Sequence, residues 1–235
     1  MLPKAILFDL DDTILSYHSL SSPTWNKVCA EFVAKNNLFE ANTLIDAINE
    51  TGKLYWSDSE RHRLGRLDLN NTRREVVRLA LEKLGCFQNE YAVQIADYYS
   101  NLHQESIHPF PGAVETLQEL VQRGVRLALL TNGNSVKQRY KITKFDLEKY
   151  FDVCLVEEEL GFGKPDIRVF QMALNHLRVS PGKTWMVGDN LEWDIETPQK
   201  MGIFSVWNDH DHSGLPEDSK IFPDRIINNI SELLF

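Results

Sequence analysis

The chain has 235 residues, 43% hydrophobic and 25% charged, too apolar for a disordered segment and too short for three ordinary domains. Lys and Arg number 25 against 34 Asp and Glu, a formal net charge of -9, the wrong sign for a protein that neutralises nucleic-acid phosphates. No apolar run approaches the roughly 18 residues of a membrane span. At the start, MLPKAILFDLDDT has no apolar stretch leading to a small-residue cleavage site, so no secretory signal is expected. Cys29, Cys86 and Cys154 are widely spaced, neither a disulfide framework nor a zinc pattern. Free thiols in a reducing cytoplasm are expected.

In chain order, KAILFD at 4–9 is a short apolar run ending in a carboxylate and reads as a buried strand. Ser22-Pro23 reads as a helix start, a capping hydroxyl before a first-turn proline, ahead of Trp25, Val28, Cys29, Phe32 and Val33 at helical spacing. Leu44, Ile48 and Tyr55 sketch a second helix. Thr72 and Glu75 read as a capping box ahead of Val76, Val77, Ala80, Leu81 and Leu84, with Gly85 as the stop. Asn89 reads as the cap of a fourth helix carrying Ala92, Ile95, Tyr99 and Leu102. Between about 17 and 107 no strand pattern stands out.

After Pro109 and Pro111 the pattern changes to alternation. Helix 112–123, strand 125–131, a helix near 135–148, strand 153–156, helix 166–177, strand 184–188, a helix around 192–201, strand 203–207 and a last short strand and helix within 225–234 follow in turn. Strands alternating with helices predict a Rossmann-like α/β core, a parallel sheet with helices on both faces. The expected domains are a core of 1–16 and 108–235 and an inserted all-helical domain at 17–107.

Four polar clusters follow predicted strands: Asp9, Asp11 and Thr13; Thr131 and Asn132; Lys164; and Asp189 with Asp194. Ligands of open parallel sheets bind at the carboxyl ends of strands, so distant positions meet at one rim. Asp9 and Asp11, two residues apart, point the same way before the chain turns, and Asp189 adds a third carboxylate. An oxygen-only cluster of this kind suits Mg²⁺. The hydroxyl of Thr131, the amide of Asn132 and the ammonium of Lys164 beside it describe a phosphate site.

DLDDT at 9–13, TNG at 131–133, GKPD at 163–166 and GDNLEWD at 188–194 resemble, in order, the four motifs of the haloacid dehalogenase (HAD) superfamily. The helical insert resembles that of its helical-cap subclass. The resemblance implies Asp9 as the nucleophile that forms an aspartyl-phosphate and Asp11 as the general acid/base, whose backbone carbonyl is also a metal ligand. It implies Thr131 and Lys164 as phosphate binders, and Asp189 and Asp194 as Mg²⁺-site residues along with Asp9. Dehalogenase members lack the second carboxylate of the first motif. Asp11 is present here, so the resemblance implies a cytoplasmic, Mg²⁺-dependent phosphatase acting on a small phosphorylated metabolite. A phosphotransferase such as a sugar-phosphate mutase would share every core residue, and a noncatalytic binding protein of this fold would be expected to lose some of them. No nucleic-acid or membrane partner is expected.

The segment 60–78 holds Arg61, Arg63, Arg66, Arg73, Arg74 and Arg78 against Glu60, Asp68 and Glu75, a local basic excess in an acidic chain. Arg63 and Arg66, read as a loop in which Gly65 gives a tight turn, are candidates for the leaving group, with Trp56 and His62 flanking. Tyr17 and His18, near the nucleophile in sequence, are further candidates. Arg73, Arg74 and Arg78 read as a solvated helix face. Asn190 is either a turn residue or a site residue. His210, Asp211 and His212 resemble a metal cluster, but the loop Ser213-Gly214-Leu215-Pro216 that follows points to a solvated turn.

Overall fold

The computed structural model describes residues 2–235. The elements begin with strands β1 (Ala5–Phe8) and β2 (Leu15–Ser16), then helices α1 (Ser21–Asn36), α2 (Ala41–Trp56), α3 (Ser59–Gly65), α4 (Leu69–Lys83) and α5 (Asn89–Ser106). β3 (His108–Pro109), α6 (Ala113–Gln122), β4 (Arg126–Thr131), α7 (Ser135–Lys144), β5 (Val153–Val156), α8 (Glu157–Leu160) and α9 (Ile167–Leu177) come next. The chain closes with β6 (Thr184–Gly188), a π-helical turn (Leu191–Glu196), α10 (Thr197–Lys200), β7 (Phe204–Asn208) and β8 (Arg225–Ile227). Two compact units form, Met1–Tyr17 with His108–Phe235, and His18–Ile107. Among the described residues no helix is long and apolar enough to cross a membrane.

The first unit is an α/β core. Its six strands are all parallel in the order β5-β4-β1-β6-β7-β8. Successive side chains of a strand face opposite sides of the sheet, and here both sides are buried. Ala5, Leu7, Ala128, Leu130 and Met186 pack with Val169, Phe170, Ala173 and Leu174 of α9. Ile6, Phe8, Leu127 and Leu129 on the opposite face are buried as well, and α6 lies against β4. Two-sided burial explains why β1 and β4 read as unbroken apolar runs.

β1 lies centrally between β4 and β6, with Phe8 opposite Leu129 on one side and Val187 on the other. After β1 the chain builds outward through β4 and β5, then returns to β6 on the other side. The order reverses between β1 and β6, and such a reversal opens a crevice at the carboxyl ends of the strands. Asp9 and Asp189 are the residues immediately after these two strands.

The second unit is helical. Val28, Cys29, Phe32, Leu44, Ile48, Val77, Ala80, Leu81, Ile95, Ala96 and Tyr99 form its core, with Trp25 stacked on Tyr99. Several predicted helix starts differ from the structure. α1 begins at Ser21 behind Leu20, with no side-chain cap, because a short 3₁₀ turn over His18–Leu20 runs directly into it. Thr72 is not a cap. α4 starts at Leu69, Asp68 caps it by accepting from the Asn71 amide, and Thr72 Oγ1 donates to the Gly65 carbonyl. Asn89 is the first residue of α5, and Gln88 before it makes no side-chain cap.

The expected loop around Arg63 and Gly65 is instead helix α3, capped by Asp58, which accepts from the Arg61 amide. Gly65 does not serve a tight turn. It is buried, and a Cβ there would lie 2.9 Å from Thr72 Oγ1 and 3.0 Å from the Trp56 ring. Close approach of helices, not a left-handed backbone, requires glycine at this position.

Candidate active site

Lys164 is the centre of the site. Its side chain is 2% exposed, and Nζ donates to Asp9 Oδ1 at 2.5 Å and to Asp194 Oδ1 at 2.7 Å. The loop before α9 brings it there, and the Asn132 side chain fixes it. Asn132 Oδ1 accepts from the Lys164 amide at 2.8 Å, and Nδ2 donates to the Lys164 carbonyl at 2.6 Å. The Asn132 amide is thus committed to the Lys164 backbone, so its predicted contact to phosphate is not available to the side chain while these bonds hold.

Asp194 belongs to the π-helical turn that Asn190 caps, with Asn190 Oδ1 accepting from the Glu192 and Trp193 amides. Of the two readings of Asn190, the structure shows the turn. A Cβ on Gly188 would fall on the Asp194 carboxylate, so the glycine before Asp189 makes room for Asp194. The Asp189 carbonyl accepts from Trp207 Nε1 at 2.6 Å.

Asp9, Asp189 and Asp194 place carboxylate oxygens within 4.8 Å of one another. Burial raises the Asp9 carboxyl to about 7. Lys164 opposes that rise, while Asp194 and Asp11 add to it. Removal from water, then the charges of Asp9, Asp194 and Asp12, hold Asp189 well above the ordinary carboxylate range. Burial alone would lower the Lys164 ammonium, but Asp194 and Asp9 reverse that and hold it above its usual value. Three carboxylates against one ammonium leave a negative excess in a low-dielectric crevice. The donor set is all oxygen, which fits a hard divalent cation.

Asp11 turns to a different neighbour. Lys141 Nζ meets its Oδ1 at 2.6 Å and Oδ2 at 2.5 Å, and Gln138 Nε2 lies 3.1 Å from Oδ2. Gln138 Nε2 also lies 2.6 Å from both Thr131 Oγ1 and the Asn132 carbonyl. The side chains of Asp9 and Asp11 therefore take separate cationic partners at one end of β1. Lys141 and Gln138 are absent from the sequence-based site. The signal for them is their position with Ile142 on the buried face of α7.

His210 corrects a second expectation. It is not part of a solvated turn: its side chain is 14% exposed, stands 3.9 Å from Asp12 Oδ1 and packs beside the Phe110 ring. With Asp12 and Asp189 it forms a second group able to hold a cation. Asp211 and His212 are exposed, as a turn would have them. Tyr17 belongs to the core unit, where its ring lies 4.7 Å from Lys141 Nζ and its amide donates to Asp12.

Within the helical unit, Arg63 is exposed and pairs with Glu60 at 2.7 Å. Arg66 NH1 lies 3.3 Å from His62 Nδ1, and the His62 ring meets Trp56 edge-on. Arg74 pairs with Asp97, and Arg78 with Glu75 and Glu82. Arg73 is not simply solvated: its guanidinium lies over the Tyr99 ring and donates to Ser100.

The family model of haloacid dehalogenase-like hydrolases matches residues 3–202. The chain belongs to that family. Curated relatives along its length include phosphatases, and this HAD-like hydrolase is one too. It is 37% identical over 163 residues to a phosphoserine phosphatase of Thermus thermophilus, a match covering 68% of this chain and 63% of that protein. It is 28% identical over 235 residues to a glyceraldehyde 3-phosphate phosphatase of Pyrococcus furiosus, covering 98% and 91%. Among solved structures, the HAD-hydrolase YfnB of Bacillus subtilis bound to magnesium superposes with a TM-score of 0.75 at 22% identity, covering 99% of this chain and 97% of that one. The last likeness shows the fold.

Proposed function

We propose that this HAD-like hydrolase cleaves a small phosphate monoester through an aspartyl-phosphate on Asp9, with Mg²⁺ as its cation. The buried Asp9–Lys164–Asp194 chain beside Asp189 carries this reading. Asp9, Asp189, Asp194 and the Asp11 carbonyl would hold Mg²⁺, which would supply positive charge against the negative charge of the phosphate. Lys164 adds a fixed ammonium that favours approach of an anionic substrate to an anionic nucleophile. Thr131 offers its hydroxyl to the phosphate, and Asn132 contributes by holding Lys164.

In the first step an Asp9 carboxylate oxygen bonds to phosphorus as the ester P–O bond breaks. Asp11, protonated, gives its proton to the departing alkoxide. In the second step Asp11 takes a proton from water, whose oxygen bonds to phosphorus and releases Asp9 and inorganic phosphate. Positioning by buried, hydrogen-bonded groups supplies what two carboxylates alone cannot.

The substrate belongs to the class its relatives act on, a phosphorylated small metabolite. Arg63, Arg66 and Tyr17 are the proposed leaving-group contacts. The test is phosphate release over a panel of sugar phosphates, nucleoside monophosphates, phosphoserine and phosphoglycolate, with Mg²⁺ and with excess chelator. Turnover is expected only with the ion, and full activity in chelator overturns the metal assignment. Asp9→Asn is expected to lower kcat by at least about 10⁴-fold with the fold kept by circular dichroism. Near-native turnover in that variant overturns the mechanism.

A further inference from the structure

A helix that packs on a sheet usually turns an apolar stripe inward. The buried face of α7 instead carries Gln138 and Lys141 beside Ile142. Lys141 is 4% exposed, and its ammonium sits under the Tyr17 ring with its donors on the two oxygens of Asp11. A buried ammonium is costly unless paired, and a buried pair is often no more stable than apolar side chains of the same volume. Folding is therefore a weak reason for a lysine here.

We infer that Lys141 is a positioning residue for Asp11, holding that carboxylate in one orientation through both oxygens. The inference rests on the proposed role of Asp11 as acid and base. A carboxylate offers about four lone-pair sites, two on each oxygen. Lys141 takes one on Oδ1 and one on Oδ2, while Gln138 Nε2, whose two hydrogens face Thr131 Oγ1 and the Asn132 carbonyl at 2.6 Å, stands 3.1 Å from Oδ2 and crowds its second site. Oδ1 is therefore the less crowded oxygen and the one placed to pass the proton to the leaving group and later take one from water. Both transfers need the same oxygen within hydrogen-bond reach of two successive partners, and an unheld carboxylate would rotate away from that arrangement. Gln138, in reach of both Asp11 and Thr131, ties the acid to the threonine proposed to bind phosphate.

The test is a double-mutant cycle on the full-length, Mg²⁺-loaded enzyme with p-nitrophenyl phosphate as the probe. Lys141→Met is expected to lower kcat by about 10- to 100-fold while KM moves by less than about threefold. Lys141→Arg, which keeps charge and donors, is expected to recover much of the loss. In an Asp11→Asn background, Lys141→Met is expected to cost less than about twofold, because a residue acting only through Asp11 has nothing left to act on. Native kcat in Lys141→Met overturns the inference, as does a loss that Lys141→Arg does not relieve and Asp11→Asn does not mask. Should Lys141→Met not fold, Lys141→Gln carries the same comparison. Native kcat in Asp11→Asn would overturn the proposed role of Asp11 itself. An impaired Asp11→Asn beside an unimpaired Lys141→Met would overturn only the inference about Lys141.

Discussion

The Asn132 side chain holds Lys164 by the backbone from both sides, accepting from its amide at 2.8 Å and donating to its carbonyl at 2.6 Å. This clamp joins the loop after β4 to the loop before α9, and so sets where the Lys164 ammonium meets Asp9. Asn132→Ala removes both bonds and is expected to lower stability by about 1–3 kcal/mol, read by thermal denaturation. Turnover should fall as well, because the ammonium loses its fixed place. A variant with native melting temperature and native kcat would show that the clamp is dispensable.

The carboxyl groups of the site set a pH dependence with a definite sign. In the folded protein without metal, Asp9 is raised from 3.8 to about 7, and Asp189 is raised too. Groups raised in this way bind more protons folded than unfolded, so their contribution favours folding at low pH and is lost as pH rises from about 4 through 7. One such proton changes stability by at most about 1.4 kcal/mol per pH unit in that window. Glu159, lowered to about 2 mainly by its bond from Arg139, acts below pH 4.5 and does not interfere. A divalent ion competes with these protons. The rise in melting temperature on adding Mg²⁺ is therefore expected to grow from pH 5 to pH 7.5, and Asp9→Asn should flatten that trend. A shift of constant size across the window would mean that the ion binds elsewhere.

Arg63 and Arg66 are expected to differ. Arg63 is exposed and engaged with Glu60, whereas Arg66 is half-buried beside His62. If Arg66 contacts the leaving group, Arg66→Ala lowers kcat/KM for the metabolite substrate by about 10- to 150-fold, the worth of one charge-assisted hydrogen bond. An aryl phosphate, which lacks the contact, should lose much less. Arg63→Ala should cost less than Arg66→Ala on the metabolite. Equal losses on both substrates would assign the arginines to folding.

Gly65→Ala tests the packing of the helical unit. A Cβ at 2.9 Å from Thr72 Oγ1 and 3.0 Å from Trp56 has no room unless α3 or α4 shifts. Overpacking of this kind costs about 1–3 kcal/mol, which a denaturant midpoint would report. An unchanged midpoint would show that the neighbours yield freely.

The layout of the α/β core was legible in the residues because local signals carried it. Apolar runs such as AILF and RLALLT are short, bounded and buried on both faces, and the amphipathic helices between them repeat at helical spacing. Chain order and strand position also placed Asp9, Thr131 and Asp189 at strand ends, since a parallel sheet gathers its carboxyl ends on one edge, whereas Lys164 follows α8 and is delivered by the loop before α9. Helix starts were less legible. Ser22, Thr72 and Asn89 have the chemistry of caps, but the residue that caps is decided by where the preceding turn delivers the chain, as at Asp68.

Side-chain partnership was legible only where the four motifs gathered it, as for Lys164 and the Asp9 cluster, and not for Lys141 or His210. Lys141 is 130 positions from Asp11, Lys164 is 155 from Asp9, and His210 reaches Asp12 from the far end of the chain. Periodicity, propensity and capping are properties of neighbours along the chain, so they determine which segments become strands and helices. Which cation meets which carboxylate depends on strand order, helix rotation and burial, and those exist only once the sheet has closed its register.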